Sequence, residues 1–292
     1  MANNAEPQWI EVRVQVLPLY LETLSAFIFA TRAQGIQEEE NGFSVFYDAR
    51  DWSPEIYQML LKELQRIVPD FDDSRLHVQT QQNEDWLHNW KQNFKPFHLT
   101  DSLVIQPDWE NYQAKPGETV LTIAPKMAFG TGHHESTQLC LFLMDELLEP
   151  DMTVLDVGTG SGILSIYAKK QGAGKVLGID NDPFAIENAY ENLALNAVGE
   201  GVEFRVADAH EFRSEHFDLV VANIIHNILL KIASGLAAAT RPGGRLILSG
   251  ILASERQLMT DTIEKLGFEL ITEKTKNEWI GLAFKKKAGT DE

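Results

Sequence analysis

The run Val154-Leu-Asp-Val-Gly-Thr-Gly-Ser-Gly-Ile-Leu164 narrows the choice of folds more than any other stretch of this chain. Apolar and β-branched residues run into a turn with glycine at 158, 160 and 162, and an apolar helical pattern follows at once. That order is strand, tight turn, helix. Glycine at alternate positions lets the backbone pass close to a ligand held at the helix N-terminus. In a dinucleotide-binding fingerprint the second and third glycines are separated by two residues. Here Ile163 takes the place of that third glycine, Gly162 comes one residue early, and Asp156 heads the turn.

Downstream of Met152, strands and helices alternate with short connections, which predicts a parallel, doubly wound α/β sheet. Strands are expected at residues 153–157, 175–179, 202–206, 219–223 and 245–249. Helices are expected at 162–171, at 183–195, after Asn223 and at 254–266. Arg241-Pro-Gly-Gly244 reads as a tight turn feeding the fifth strand. Strands at 268–272 and 278–284 then succeed each other with no helix between them. The sheet should therefore end in an antiparallel hairpin, not in a second nucleotide-binding half.

Residues 1–80 read as a separate small α+β domain. Residues 8–16 alternate apolar and polar, the period of a half-buried strand. A helical pattern covers 18–32, and strands at 35–40 and 43–48 meet at the turn Asn41-Gly42. Ser53-Pro-Glu opens a second helix with Ser at its cap, and 76–80 closes the unit as a strand. The order βαββαβ is the ferredoxin-like one. Nothing in it has a catalytic pattern, so it serves either substrate recognition or stability.

Residues 81–98 read as a helical connector whose Trp86 and Trp90, four apart, share a helix face. They either pack on a neighbouring domain or cage a ligand. From residue 99 to 292 runs the larger domain. Within it, a strand at 120–123 enters the loop Phe129-Gly-Thr-Gly-His-His134, and a helix follows at 137–148, capped by Ser136 or Thr137. The adjacent His133 and His134 diverge and are poorly placed to share a metal, so no metal is expected. The loop either moves freely or covers a ligand.

In an open α/β sheet, ligands sit at the carboxyl ends of the strands. Those ends carry Asp156, Gly158 and Gly160, then Asp180, then Asp208 and Ala209, then Asn223 with His226 close behind. Asp180 comes about twenty residues beyond Gly158, where an acid grips the hydroxyls of a ribose. Asp208 is placed to meet an adenine amino group. The glycine spacing resembles the first motif of S-adenosylmethionine methyltransferases, which makes that molecule the expected cofactor. Its methyl is already activated, so positioning an acceptor lone pair supplies most of the rate. Enzymes that methylate planar amides or bases carry Asn/Asp-Pro-Pro-Tyr after the fourth strand. Asn223-Ile-Ile-His226 lacks that motif, which leaves an sp³ amine as the better acceptor, with Asn223 positioning it and His226 as an alternative proton acceptor.

Composition adds exclusions. A net charge of −18 over 292 residues suits a basic protein partner better than the phosphates of a nucleic acid. No direct nucleic-acid binding is expected. No run approaches the ~20 apolar residues of a membrane span, and no signal peptide is visible, so the expected compartment is the cytoplasm. The single Cys140 sits among apolar neighbours and reads as a buried small hydrophobe.

Across nearly its whole length the chain resembles the ribosomal protein L11 methyltransferase family. The likeness is carried by Asp85-Trp-Leu-His-Asn-Trp-Lys-Gln-Asn-Phe-Lys-Pro96, Ala128-Phe-Gly-Thr-Gly-His133, Leu155 to Leu164, Gly178-Ile-Asp-Asn-Asp-Pro183, Val221-Ala-Asn-Ile224 and Ser249-Gly-Ile-Leu252. The resemblance implies a class I methyltransferase fold with an antiparallel last strand. It also implies methylation of lysine side chains and the N-terminal α-amine of the eleventh large-subunit ribosomal protein, gripped by the small domain. The family's cofactor positions fall on Thr137, Gly158, Asp180 and Asn223. Two stretches depart from its pattern: Ile123-Ala-Pro-Lys-Met where Leu-Asp-Pro-Gly is usual, and Ile225-His-Asn-Ile-Leu after Asn223-Ile224. The competing readings are a methyltransferase of another protein or small amine, and a non-catalytic cofactor-binding module.

Overall fold

A computed structural model of the chain describes residues 8–16, 20, 24, 27–28, 31–39, 42–82, 95–125, 130–208 and 216–288. It contains two units, Met1–Phe94 and Lys95–Glu292. In the first, β1 (Gln8–Val14), β2 (Gly35–Glu39), β3 (Gly42–Asp48) and β4 (Leu76–Gln82) form an antiparallel sheet in the order β2-β3-β1-β4. That is the ferredoxin-like order. The alternation read from the sequence sends Val12, Val14, Phe43, Val45 and Tyr47 to one face, where they meet Leu60 and Leu64 of α1 (Pro54–Ile67). Ser53 precedes α1 but makes no side-chain cap bond; its hydroxyl binds Glu55 and lowers that carboxyl's pKa. Most of the helix expected at 18–32, the Asn41 turn residue and the connector residues 83–94 with Trp86 and Trp90 lie outside the described residues.

The second unit opens with a three-stranded sheet of β5 (Phe97–His98), β6 (Leu103–Pro107) and β7 (Thr119–Ile123). Strand β5 thus occupies the last residues of the segment read as a helical connector. Helix α2 (Glu135–Leu147) leads into β8 (Thr153–Val157), α3 (Ile163–Lys170), β9 (Lys175–Asp180), α4 (Pro183–Leu195), β10 (Val202–Val206), β11 (Phe217–Asn223) and α5 (His226–Ala239). Strand β12 (Thr240–Leu252), α6 (Arg256–Glu264), β13 (Phe268–Lys276) and β14 (Trp279–Lys286) complete it. The seven strands lie in the order β10-β9-β8-β11-β12-β14-β13. The first five are parallel, and β14 inserts antiparallel between β12 and β13.

Consecutive residues of the central strands face opposite ways, and each way is covered. Leu155, Leu177, Val220 and Leu248 join one core with Leu229 and Ile232 of α5. Their neighbours Val154, Val176, Leu219 and Ile247 join the other, with Cys140 and Leu141 of α2 and Tyr167 of α3. A sheet buried on both faces leaves its carboxyl edge as the place for a ligand. The Arg241–Gly244 turn is present as a bulge inside β12: pairing with β11 jumps from Phe217–Thr240 to Leu219–Arg245, and Gly243 has φ +75°.

Candidate functional site

The glycine turn leaves β8 with Gly158, Gly160 and Gly162 at φ +71°, +52° and +79°, a region that side-chain-bearing residues avoid. Asp156 sits beneath the turn, fully buried; its Oδ2 accepts from the hydroxyls of Thr159 (2.7 Å) and Ser165 (2.8 Å). Burial raises its pKa to about 6, with the Asp180 charge adding to the same effect. The acid heading the turn is therefore a strut, not a ligand contact. Gly162 caps α3, and a Cβ there would come within 3.0 Å of Ala189 and Phe204. Its role is helix packing, which leaves Gly158 and Gly160 facing the ligand space.

A cavity of about 560 Å³ runs along the carboxyl edge, within the range of small-molecule sites. Gly158, Gly160, Asp180, Asp208 and Asn223 all line it. Asp180 ends β9, and its carboxylate already accepts from the backbone N–H groups of Gly160 (2.9 Å) and Asp182 (3.0 Å). That ties the second strand end to the glycine turn. Against the carboxylates of Asp180, Asp182 and Asp208 the lining sets one lysine, Lys231, so the cavity favours a cation.

Asn223 ends β11. Its Nδ2 donates to Thr137 Oγ1 of α2 at 3.1 Å, whereas its buried Oδ1 has no hydrogen-bond partner. Thr137 is itself fully buried and stands behind Asn223, not on the cavity wall. Helix α2 starts at Glu135, two residues earlier than expected, because His134 is its cap: Nδ1 accepts from the backbone N–H of Ser136 (3.2 Å). Burial lowers the pKa of both His133 and His134, which favours the neutral rings that such an acceptor role needs. The two rings do diverge. His133 stacks on Phe97 at 4.5 Å, and His134 meets Trp279 edge-on at 4.8 Å.

The loop ahead of α2 is fastened to the glycine turn. Ser161 Oγ donates to Gly130 O at 2.6 Å, and Gln138 Nε2 donates to the carbonyls of Gly132 (3.1 Å) and His133 (2.8 Å). Asn192 on α4 bridges the same two parts: its Oδ1 accepts from Ala124 N (2.8 Å) and its Nδ2 donates to Ser161 O (2.8 Å). Phe129 and Ala209 lie outside the described residues. His226 does not line the cavity; its Nδ1 is 2.6 Å from Glu255 Oε1.

Sequence reasoning missed His134, Ser136, Ile228, Lys231 and Trp279 as cavity-lining residues. Trp279 was within reach. An antiparallel β14 has its first residue, not its last, at the carboxyl edge of the parallel strands. Among the described residues no group of three or more His, Cys, Asp or Glu is arranged to hold a metal, and no helix is long and apolar enough to cross a membrane.

A family model described as ribosomal protein L11 methyltransferase (PrmA) matches residues 8–287. A ribosomal protein L11 methyltransferase of Exiguobacterium sp. is 33% identical over 310 aligned positions, covering 96% of this chain and 99% of that one. The corresponding protein of Desulforapulum autotrophicum is 42% identical over 201 residues, 68% of this chain and 66% of the relative. A solved ribosomal protein L11 methylase from Lactobacillus delbrueckii subsp. bulgaricus is 33% identical and superposes with a TM-score of 0.62, over 66% of this chain and 100% of that one. The match to the family model spans both units, the glycine turn and the Asn223 strand end, and the chain belongs to the ribosomal protein L11 methyltransferase family.

Proposed function

We propose that this protein transfers methyl groups from S-adenosylmethionine to amines of ribosomal protein L11, lysine side chains and the N-terminal α-amine among them. The observation that carries the reading is the divided amide of Asn223. Its donor is committed to Thr137, so its buried, unpartnered acceptor is left for an N–H that the folded chain does not supply. An unsatisfied buried acceptor costs about 1–3 kcal/mol, which an incoming amine would recover.

The residues present fit the cofactor. Gly158 and Gly160 admit it close to the backbone, Asp180 would take the ribose hydroxyls and Asp208 the adenine edge, while Thr137 holds Asn223 in place. When bound, the cofactor supplies an electrophilic methyl on a positively charged sulfur. The acid-lined cavity suits that charge. Everything else is positioning by the chain. A lysine amine has an ordinary pKa of about 10.4 and must lose its proton before its lone pair is free. Asn223 Oδ1 then accepts an N–H of the neutral amine and turns the lone pair toward the cavity. Holding an acceptor at that angle is worth several powers of ten in rate.

The small unit, residues 1–80, serves as the substrate-recognition part, joined by residues 81–98 to the methyltransferase part at 99–292. The acidic chain matches a basic ribosomal protein, and the cytoplasm, where ribosomes are assembled, is its compartment. Incubating the full chain with labelled S-adenosylmethionine and ribosomal proteins from cells lacking this methylation tests the reading. Label on L11 supports it. Label on another protein or a small amine overturns the substrate, and cofactor binding without any transfer points to a non-catalytic module.

A further inference from the structure

The cavity wall divides by strand order. Asp180 and Asp208 follow β9 and β10 on one side of the glycine turn, whereas Asn223, Gly250 and Trp279 belong to β11, β12 and β14 on the other. From β9 to β14 is four strand spacings, roughly 19 Å at about 4.8 Å each. The far arm carries no carboxylate among its lining residues. It is built from Asn223, His134, Ser136, Ile224, Ile225 and Trp279, and Lys231 of α5, the helix after β11, also lines the cavity. A site that takes an amine ought to offer it polar groups, yet this arm offers one unpartnered acceptor and an aromatic wall in which His134 meets Trp279 edge-on at 4.8 Å.

Hydrogen counting explains that combination. Each transfer forms an N–C bond and breaks the S–C bond of the donor, whose sulfur keeps the electron pair. The first two transfers each end with one N–H proton released to water. A neutral lysine amine has two N–H groups to give to Asn223 Oδ1, a monomethylated amine has one, and a dimethylated amine has none. The third transfer releases no proton and leaves a fixed positive charge. The grip of Asn223 therefore weakens at every step, while attraction to an aromatic face persists for a methylated cation.

We infer that Trp279, braced by His134, is the residue that sets how many methyl groups an amine receives, by packing against the methyl groups of the neutral dimethylated acceptor and stabilising the positive charge that forms on its nitrogen in the third transfer, after the hydrogen bond to Asn223 has been lost. This rests on the amine-methylation reading above. Its specificity is for the methylation state, not for the protein that carries the amine.

Two measurements on the full chain test it. The first follows methylation of recombinant unmethylated L11 by mass spectrometry with wild type, Trp279→Phe and Trp279→Met. Trp279→Met should accumulate mono- and dimethylated product, its last step slowed at least tenfold more than its first. Trp279→Phe should restore the last step, and donor affinity by calorimetry should stay within about threefold in both. Equal slowing of every step, or loss of donor binding in both variants, overturns the inference. The second needs no variant, so it stands even if Trp279→Met fails to fold. A lysine peptide bearing a trimethylammonium group should bind wild type about 3- to 30-fold tighter than its uncharged tert-butyl isostere, the span expected for a cation on an aromatic face. Equal binding overturns the aromatic wall. Failure to label L11 with donor binding intact would instead overturn the proposed function.

Discussion

Asn223 Nδ2 donates a 3.1 Å hydrogen bond to Thr137 Oγ1 across 86 residues of sequence, joining the end of β11 to the first turn of α2. This bond fixes which way the Asn223 amide faces. Without it, Oδ1 and Nδ2 could exchange places and present a donor to the acceptor amine.

Thr137→Val keeps the shape of the side chain and removes the acceptor. Asn223 Nδ2 is then left without its partner, at a cost of about 1–3 kcal/mol in stability. A misaimed amide should lower kcat on L11 by roughly 10- to 100-fold, since a shift of about 1 Å at a positioned acceptor has that effect. Donor affinity should change far less. Thr137→Ser should restore activity. Wild-type kcat in Thr137→Val would show that the amide is oriented by something else.

Much of the cavity lining was legible in the sequence because parallel strands put their carboxyl ends on one edge, so Gly158, Asp180, Asp208 and Asn223 could be read off in order. The reading failed where position depends on strand direction or on depth. Trp279 begins an antiparallel strand, so its place on the same edge follows only once β14 is known to run backwards between β12 and β13. Asp156 sits at the same strand end as the glycines, but strand alternation turns it inward under the turn. Thr137 was identified by family resemblance, and its actual partner, Asn223, is set by tertiary packing that no local pattern encodes. The three-stranded sheet before α2 shows the same limit: β5 has only two residues, too few for any periodicity.

Gly158 and Gly250 both press on Ile224, and their replacement by alanine should differ in severity. A Cβ at Gly158 would sit 2.9 Å from the Ile224 side chain, which can rotate away. At Gly250 it would meet Ile224 backbone at 2.7 Å (O), 2.8 Å (C) and 3.0 Å (N), which cannot. Both positions have positive φ, +71° and +80°, costing about 1–2 kcal/mol for alanine. Gly158→Ala should therefore lose about 1–2 kcal/mol, and Gly250→Ala about 2–4 kcal/mol once backbone strain is added. Urea unfolding of the two variants would check the order, and a larger loss for Gly158→Ala would reverse the argument.

Asp180 is expected to do two things at once, hold the ribose and hold the turn. Asp180→Ala removes a carboxylate that accepts from Gly160 N and Asp182 N. Donor binding should weaken by about 1.5–3 kcal/mol, the range for charge-assisted hydrogen bonds. Asp180→Asn keeps one acceptor oxygen and should fall between wild type and Asp180→Ala in calorimetry. Unchanged donor affinity in both variants would remove Asp180 from the site.

The buried Asp156 makes stability depend on pH in a direction opposite to that of a salt-bridged carboxylate. Its pKa rises from an ordinary 3.8 to about 6, chiefly through desolvation, partly offset by the hydroxyls of Thr159 and Ser165. The native chain then binds this proton more tightly than the unfolded chain. Between about pH 4 and pH 6 the native state holds more protons, so stability falls as pH rises, and the penalty is complete above the folded pKa. At about 1.4 kcal/mol per pKa unit the penalty is on the order of 1–3 kcal/mol. Asp156→Asn cannot titrate. Its stability relative to wild type, from urea midpoints, should therefore improve steadily from pH 4 to pH 7, whatever constant cost the lost hydrogen bonds impose at every pH. A pH-independent difference between the two proteins would mean that Asp156 is ionised throughout and that its hydroxyl partners fully offset its burial.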